Sequence, residues 1–125
     1  MFKSSEDVNM DDLIEIKNKD KWISLAFKAL NACWKCKGGY YFHDPVDPAS
    51  FGLDDYFDVI KQPMDFGTIK RKLMYNVYGN MEEFINDMNL VFNNCLEYNG
   101  AENTVTVFAM KIKSLFESII KEVSS

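Results

Sequence analysis

One histidine, three cysteines and three prolines are all that 125 residues carry of these types, and each scarcity excludes something. The lone His43 has no nucleophile arranged around it in the sequence. No phosphate-binding glycine loop and no carboxylate pair set for acid–base work accompanies it, so catalysis is not expected. An odd number of cysteines does not build a disulfide framework. Cys33 and Cys36 form a C-x-x-C, and Cys95 with His43 would have to complete a zinc site. No second close ligand pair exists, and Cys33 continues an apolar helical stripe, so no metal and no cofactor are expected. Reduced thiols in a cytosolic or nuclear compartment are the better reading.

Basic charge is also short. Lys and Arg total 14 against 19 Asp and Glu, for a net charge of −5. That argues against direct nucleic-acid binding, which demands a basic surface, and suits a basic partner instead. No apolar run approaches the roughly 18 residues that a membrane span requires. The opening MFKSSEDVNMDD is too acidic and polar for a signal peptide. The expectation is one soluble intracellular domain that needs no staple to hold its core.

What is present is helical periodicity. Residues 1–11 read as a flexible, acidic lead-in, and a domain is expected over 12–123. Trp22, Leu25, Ala26, Ala29 and Cys33 recur at spacings of three and four, predicting a first helix to about Lys37 with Gly38 and Gly39 as its stop. Asp65 is placed to cap a short helix running to Met74, with Ile69 and Leu73 on its buried side. Asn80 and Glu83 resemble a capping box. The helix they open carries Phe84, Met88, Val91, Phe92 and Cys95 on one face and ends near Tyr98-Asn99-Gly100. A last helix is expected from about Asn103, with Phe108, Ile112, Leu115, Phe116, Ile119 and Ile120 on its apolar stripe. Its β-branched opening, Thr104-Val105-Thr106-Val107, is a poor helix former. Four amphipathic helices with mostly short connections make a bundle.

One connection is long. Pro45, Pro48, Gly52 and Pro63 break residues 38–64, yet the stretch holds Tyr40, Tyr41, Phe42, Val46, Phe51, Leu53, Tyr56, Phe57, Val59 and Ile60. A disordered linker would not carry that apolar load. Long loops in compact domains are usually functional, so this one is expected to build a pocket against one end of the bundle.

Several runs carry a resemblance. Phe42-His43-Asp44-Pro45-Val46-Asp47-Pro48, then Tyr56 through Asp65, then Gly67-Thr68-Ile69, resemble the long loop of bromodomains. Phe92-Asn93-Asn94-Cys95 with Tyr98-Asn99 is similar to the end of their third helix, and order and spacing agree over about residues 20–120. The resemblance implies an all-α, left-handed four-helix bundle and a pocket for acetylated lysine, usually on histone tails. By position, Asn99 would donate its amide to the acetyl carbonyl and Tyr56 would reach that carbonyl through an ordered water. Phe42, Pro45, Val46, Phe51, Leu53, Cys95 and Tyr98 would line the channel, with Val105 at its mouth. Tyr40 and Tyr41 stand at the shelf where bromodomains commonly have Trp-Pro, and Asp54 stands where many have proline. A chain this short would normally be a monomeric module of a larger nuclear protein that binds acetylated histone tails or other acetylated proteins.

The residue types fit that chemistry. Acetylation leaves a neutral amide on an apolar stem, matched by an apolar slot with one neutral donor. An unmodified ammonium buried there would lose hydration without a carboxylate to replace it, so discrimination comes mainly from rejecting charge. Five aspartates and no lysine or arginine between Gly38 and Asp58 form an acidic rim suited to the basic flanks of such a peptide. Two rivals stand beside this reading. One is a helical interaction scaffold whose pocket is degenerate or reassigned. The other is a thiol-redox protein, which requires a low-pKa cysteine at Cys33 or Cys36. Lys70-Arg71-Lys72 reads as a solvated helix face rather than a nucleic-acid patch.

Overall fold

A computed structural model describes residues 21–124. The expected lead-in, and the opening of the first helix up to residue 20, lie outside the described residues. Among the described residues there are six α-helices, one 3-10 turn and no strand. In order they are α1 (Lys21–Lys35), the 3-10 turn (Gly39–Phe42), α2 (Pro48–Phe51), α3 (Tyr56–Val59), α4 (Phe66–Met74), α5 (Met81–Asn99) and α6 (Thr104–Ser124). No helix here is long and apolar enough to cross a membrane.

Short polar side chains set the helix starts. The Asp65 carboxylate accepts from the Thr68 backbone N–H at 2.9 Å and from the Thr68 hydroxyl at 2.7 Å, opening α4. Asn80 Oδ1 accepts from the Glu83 N–H at 3.0 Å and opens α5. Glu83 reaches back one residue further than a capping box would, accepting from the Gly79 N–H at 2.7 Å. Asn103 accepts from the Val105 N–H at 2.8 Å, so a cap offsets the weak β-branched start of α6. Helix α1 stops at Lys35, two residues before the expected Lys37, because Gly38 turns the chain at φ +81°. A side chain at Gly38 would collide with Phe108, so glycine is required there for space as well as for conformation.

The four longer helices pack as a bundle: α6 lies against α5 and α1, and α4 lies against α1 and α5. The core is aromatic along its length. Ring centroids run Phe42–Phe66 at 5.8 Å, Phe66–Phe92 at 6.2 Å, Phe92–Phe116 at 6.1 Å, Phe116–Phe84 at 5.9 Å and Phe84–Tyr78 at 6.1 Å. Edge-to-face and tilted pairs at these spacings add roughly 0.5–1.5 kcal/mol each beyond area burial. The expected face of α5 is the buried one in full.

Two stripes differ from expectation. In α1 the core face is Ile23, Ala26, Phe27, Ala29, Leu30 and Cys33, while Trp22 and Leu25 are half-buried. The helix is apolar enough on two adjacent faces to fit either phase, and Phe27 rather than Trp22 wins the interior. In α6, Leu115 is 38% exposed, and the buried line is Thr106, Ala109, Ile112 and Phe116. The Lys70-Arg71-Lys72 face is not simply solvated either. Lys70 is buried with its ammonium 5.0 Å from the Trp34 ring centroid, and Lys72 pairs with Asp87 at 2.6 Å.

Candidate functional site

The long connection returns to the bundle as three one-turn helices pinned at several points. The buried Asn94 amide donates from α5 to the Gln62 carbonyl at 2.8 Å. His43 stacks on Trp34 of α1 with centroids 3.9 Å apart, and its Nε2 lies 3.0 Å from the Trp34 carbonyl. The Gly67 N–H donates to the His43 carbonyl at 2.9 Å. A Cβ at Gly67 would collide with that carbonyl, so glycine permits the close approach. The Tyr98 hydroxyl donates to Asp55 Oδ1 at 2.6 Å and ties the end of α5 to the loop. His43, a candidate for nothing catalytic in the sequence, is therefore a structural pin.

These ties hold open a pocket of about 100 Å³. Of the residues expected to form a site, Phe42, Val46, Leu53, Tyr56, Cys95, Tyr98, Asn99 and Val105 all line it, as does Tyr41 from the expected shelf. Three stand elsewhere. Phe51 ends α2 and is 72% exposed, because Gly52 in the left-handed region (φ +65°) turns the chain and sends Leu53 inward in its place. Pro45 is exposed and outside the lining although both its neighbours belong to it. Tyr40 is 65% exposed and reaches the pocket only through Tyr41, on which it stacks at 4.3 Å.

Five lining residues were not expected: Asp44, Met64, Asp65, Val91 and Asn94. Val91 was legible, since Val91, Cys95 and Asn99 recur every four residues along α5 and so share one face. Asn94 precedes Tyr98 by the same interval. Asp44 and Met64 carried no periodic signal, lying in loop on either side of α2 and α3.

Hydrogen-bonding capacity in the pocket is uneven. Asp65 is occupied by its cap and Tyr98 by Asp55. The Asn99 amide has, among the described residues, only a weak contact from Nδ2 to Cys95 Sγ at 3.6 Å. Tyr56, 7% exposed and packed edge-on against Tyr98 at 4.8 Å, has a hydroxyl with no hydrogen-bond partner among the described residues. Burial raises the Tyr56 pKa, with Cys95 adding to it, and the Asp55 hydrogen bond leads the rise that puts Tyr98 at about 12. Both phenols therefore stay protonated, and able to donate, near neutral pH.

The cysteines behave oppositely to a redox pair. Burial, then the neighbouring Cys36, pushes the Cys33 thiol up to about 12, and burial raises Cys36 as well. No cluster able to hold a metal ion occurs among the described residues.

The model of the Bromodomain family matches residues 28–112. A bromodomain-containing protein of Schizosaccharomyces pombe is 42% identical over 109 residues, covering 87% of this chain and 15% of its own. Bromodomain-containing factor 2 of Saccharomyces cerevisiae is 47% identical over 75 residues, 60% of this chain and 12% of that protein. The SWR1 complex bromodomain subunit bdf1 of Schizosaccharomyces pombe is 46% identical over 76 residues, 61% of this chain and 13% of that protein. The matched stretch thus spans only 12–15% of the length of these relatives.

Proposed function

This chain belongs to the bromodomain family, with that family's left-handed four-helix bundle, and we propose that it is a non-catalytic reader of acetylated lysine on histone tails. One observation carries the reading. Asn99 and Tyr56 line the same largely apolar pocket, and both keep hydrogen-bonding capacity that no described residue takes up. Asn99 donates Nδ2–H to the acetyl carbonyl. Tyr56 donates to a water that bridges to the same oxygen, an arrangement nearly as favourable as a direct contact. Phe42, Val46, Leu53, Cys95 and Val105 enclose the methylene stem and the acetyl methyl.

Selectivity follows from what the walls lack. Asp65, the buried carboxylate, is already held by Thr68, so an ammonium entering the pocket finds no free anion at depth. Rejection of unmodified lysine is therefore the larger part of discrimination. Single-site binding is expected to be weak because the buried ligand is small. A relative named as a subunit of the SWR1 complex fits a module, spanning about 12–123, of a longer, nuclear protein.

Calorimetric titration of a multiply acetylated histone-tail peptide, beside its unmodified twin, tests this. Saturable binding of the acetylated peptide alone is the expected result. Equal affinity for the two peptides, or none for either by folded protein, would refute the reading and favour an interaction scaffold with a reassigned pocket.

A further inference from the structure

The pocket wall carries one carboxylate that nothing engages. Of the aspartates around it, Asp65 accepts from Thr68, Asp55 accepts from Tyr98, and Asp47 accepts from Ser50 at 2.6 Å. Asp44 lines the pocket, is exposed, and has no hydrogen bond or ion pair among the described residues. Tyr41 lines the same pocket while 42% exposed, and the Tyr40 ring stacks on it. Tyr41 is itself backed by Phe108, with centroids 5.9 Å apart, so its position is fixed by packing.

We propose that Asp44, together with the stacked rings of Tyr41 and Tyr40, forms a cation subsite at the edge of the pocket, taking the guanidinium or ammonium of a residue that neighbours the acetylated lysine in the same peptide. The proposal rests on the acetyl-lysine reading and adds what surrounds the mark. A carboxylate and partly exposed tyrosine rings at the edge of one pocket offer a cation both charge and quadrupole attraction. Being solvent-exposed, it does so without the desolvation cost that keeps a cation out of the pocket itself. Arginine suits the subsite better than lysine, because its planar group stacks on a ring while donating to a carboxylate. Asp54 and Asp58, the other rim aspartates, also have no side-chain hydrogen bond among the described residues but lie outside the pocket lining, so Asp44 is the free carboxylate placed at the pocket. Asp55 and Asp47 are engaged in holding the loop, and Asp44 is left to read the ligand.

The test uses acetyl-lysine peptides in pairs, with arginine or neutral citrulline placed in turn at the two positions on either side of the mark. Wild-type protein is expected to prefer arginine by about three- to tenfold at one position or more, as an exposed ion pair plus a cation–π contact allows. Asp44→Asn should shrink that preference to about twofold, with the loss falling on the arginine peptides far more than on their citrulline twins. No arginine preference at any position, or a preference that survives Asp44→Asn, overturns the subsite while leaving the reader intact. If wild-type protein binds none of the acetylated peptides, the reader fails and the subsite falls with it.

Discussion

At the end of the bundle where α4 turns into α5, polar groups close on one another; at the end where the long loop meets the α5–α6 turn, they do not. Asp87 accepts from both Lys72 Nζ and the buried Tyr78 hydroxyl, each at 2.6 Å, and the Lys72 ammonium lies 4.8 Å from the Tyr78 ring centroid. Asn80 completes that end by satisfying the Glu83 N–H in the first turn of α5, and Glu83 by accepting from the Gly79 N–H just before it. The pocket end leaves the Asn99 amide, the Tyr56 hydroxyl and the Asp44 carboxylate uncommitted among the described residues, and all three line one pocket. The proposed function rests on that difference. Neutral donors left without a strong partner inside a pocket, beside an end whose Lys72, Tyr78 and Asp87 engage one another, are what an outside acceptor would use.

The contrast depends on a shared core, and the largest effect comes from breaking it. Phe92 packs between Phe66 and Phe116 in the middle of the aromatic chain. Phe92→Ala should cost about 3–5 kcal/mol of stability, measured by chemical denaturation. A loss below 1 kcal/mol, roughly a single methylene's worth, would mean the rings do not join the two ends.

Next come the substitutions that separate the ends. Asn99→Ala should weaken binding of an acetylated peptide by about 1–3 kcal/mol, some 5- to 150-fold, with the melting temperature little changed because Asn99 is exposed at the end of α5. Asp87→Ala should do the reverse. It strands the Tyr78 hydroxyl and Lys72 and lowers stability by about 1–3 kcal/mol, while the folded fraction binds the peptide unimpaired. Parallel loss of binding in Asp87→Ala, measured by calorimetry below the transition, would break the division.

The smallest effect is a titration. The Asp55 hydrogen bond leads, with burial and the nearby Asp55 and Asp54 charges adding to it, in raising the Tyr98 pKa to about 12, above the ordinary phenol value of about 10. Because the folded value is the higher one, this bond's contribution is complete below pH 10 and is lost as pH rises through about 12. Ultraviolet titration of Asp55→Asn should show one phenol ionising at lower pH than in wild type, and Tyr98→Phe should remove it. An unchanged titration curve in Asp55→Asn would mean the loop tie is absent in solution.

Much of this was legible in the sequence where a local rule had only one solution. Asp65 and Asn80 stand one residue before an apolar-periodic run, and both cap as expected. The expected face of α5 is buried in full, and the apolar neighbours Ile85 and Leu96 lie at its margin without displacing it. In α1 apolar residues occupy two adjacent faces, so periodicity fixed the helix but not which side faces inward. Leu115 was misassigned to the buried stripe because the contact surface of α6 is narrower than the run of apolar residues it carries. The pocket was half readable. Its α5 residues follow helical spacing, whereas Asp44, Met64 and the outward turn of Phe51 depend on how the loop folds back, which tertiary contacts such as Asn94 to Gln62 decide.

The central claim is that binding capacity is confined to the Asn99 end and is used on an acetyl amide. Nuclear magnetic resonance with ¹⁵N-labelled protein and a short acetyl-lysine peptide tests it most directly. Saturable shifts of the Asn99 side-chain amide and of backbone signals around Tyr56 and Val105, with the Tyr78 and Asp87 signals unmoved, are the predicted result. Shifts centred on the Tyr78–Asp87 end, or an Asn99 side-chain amide that stays still while the peptide binds, would contradict it.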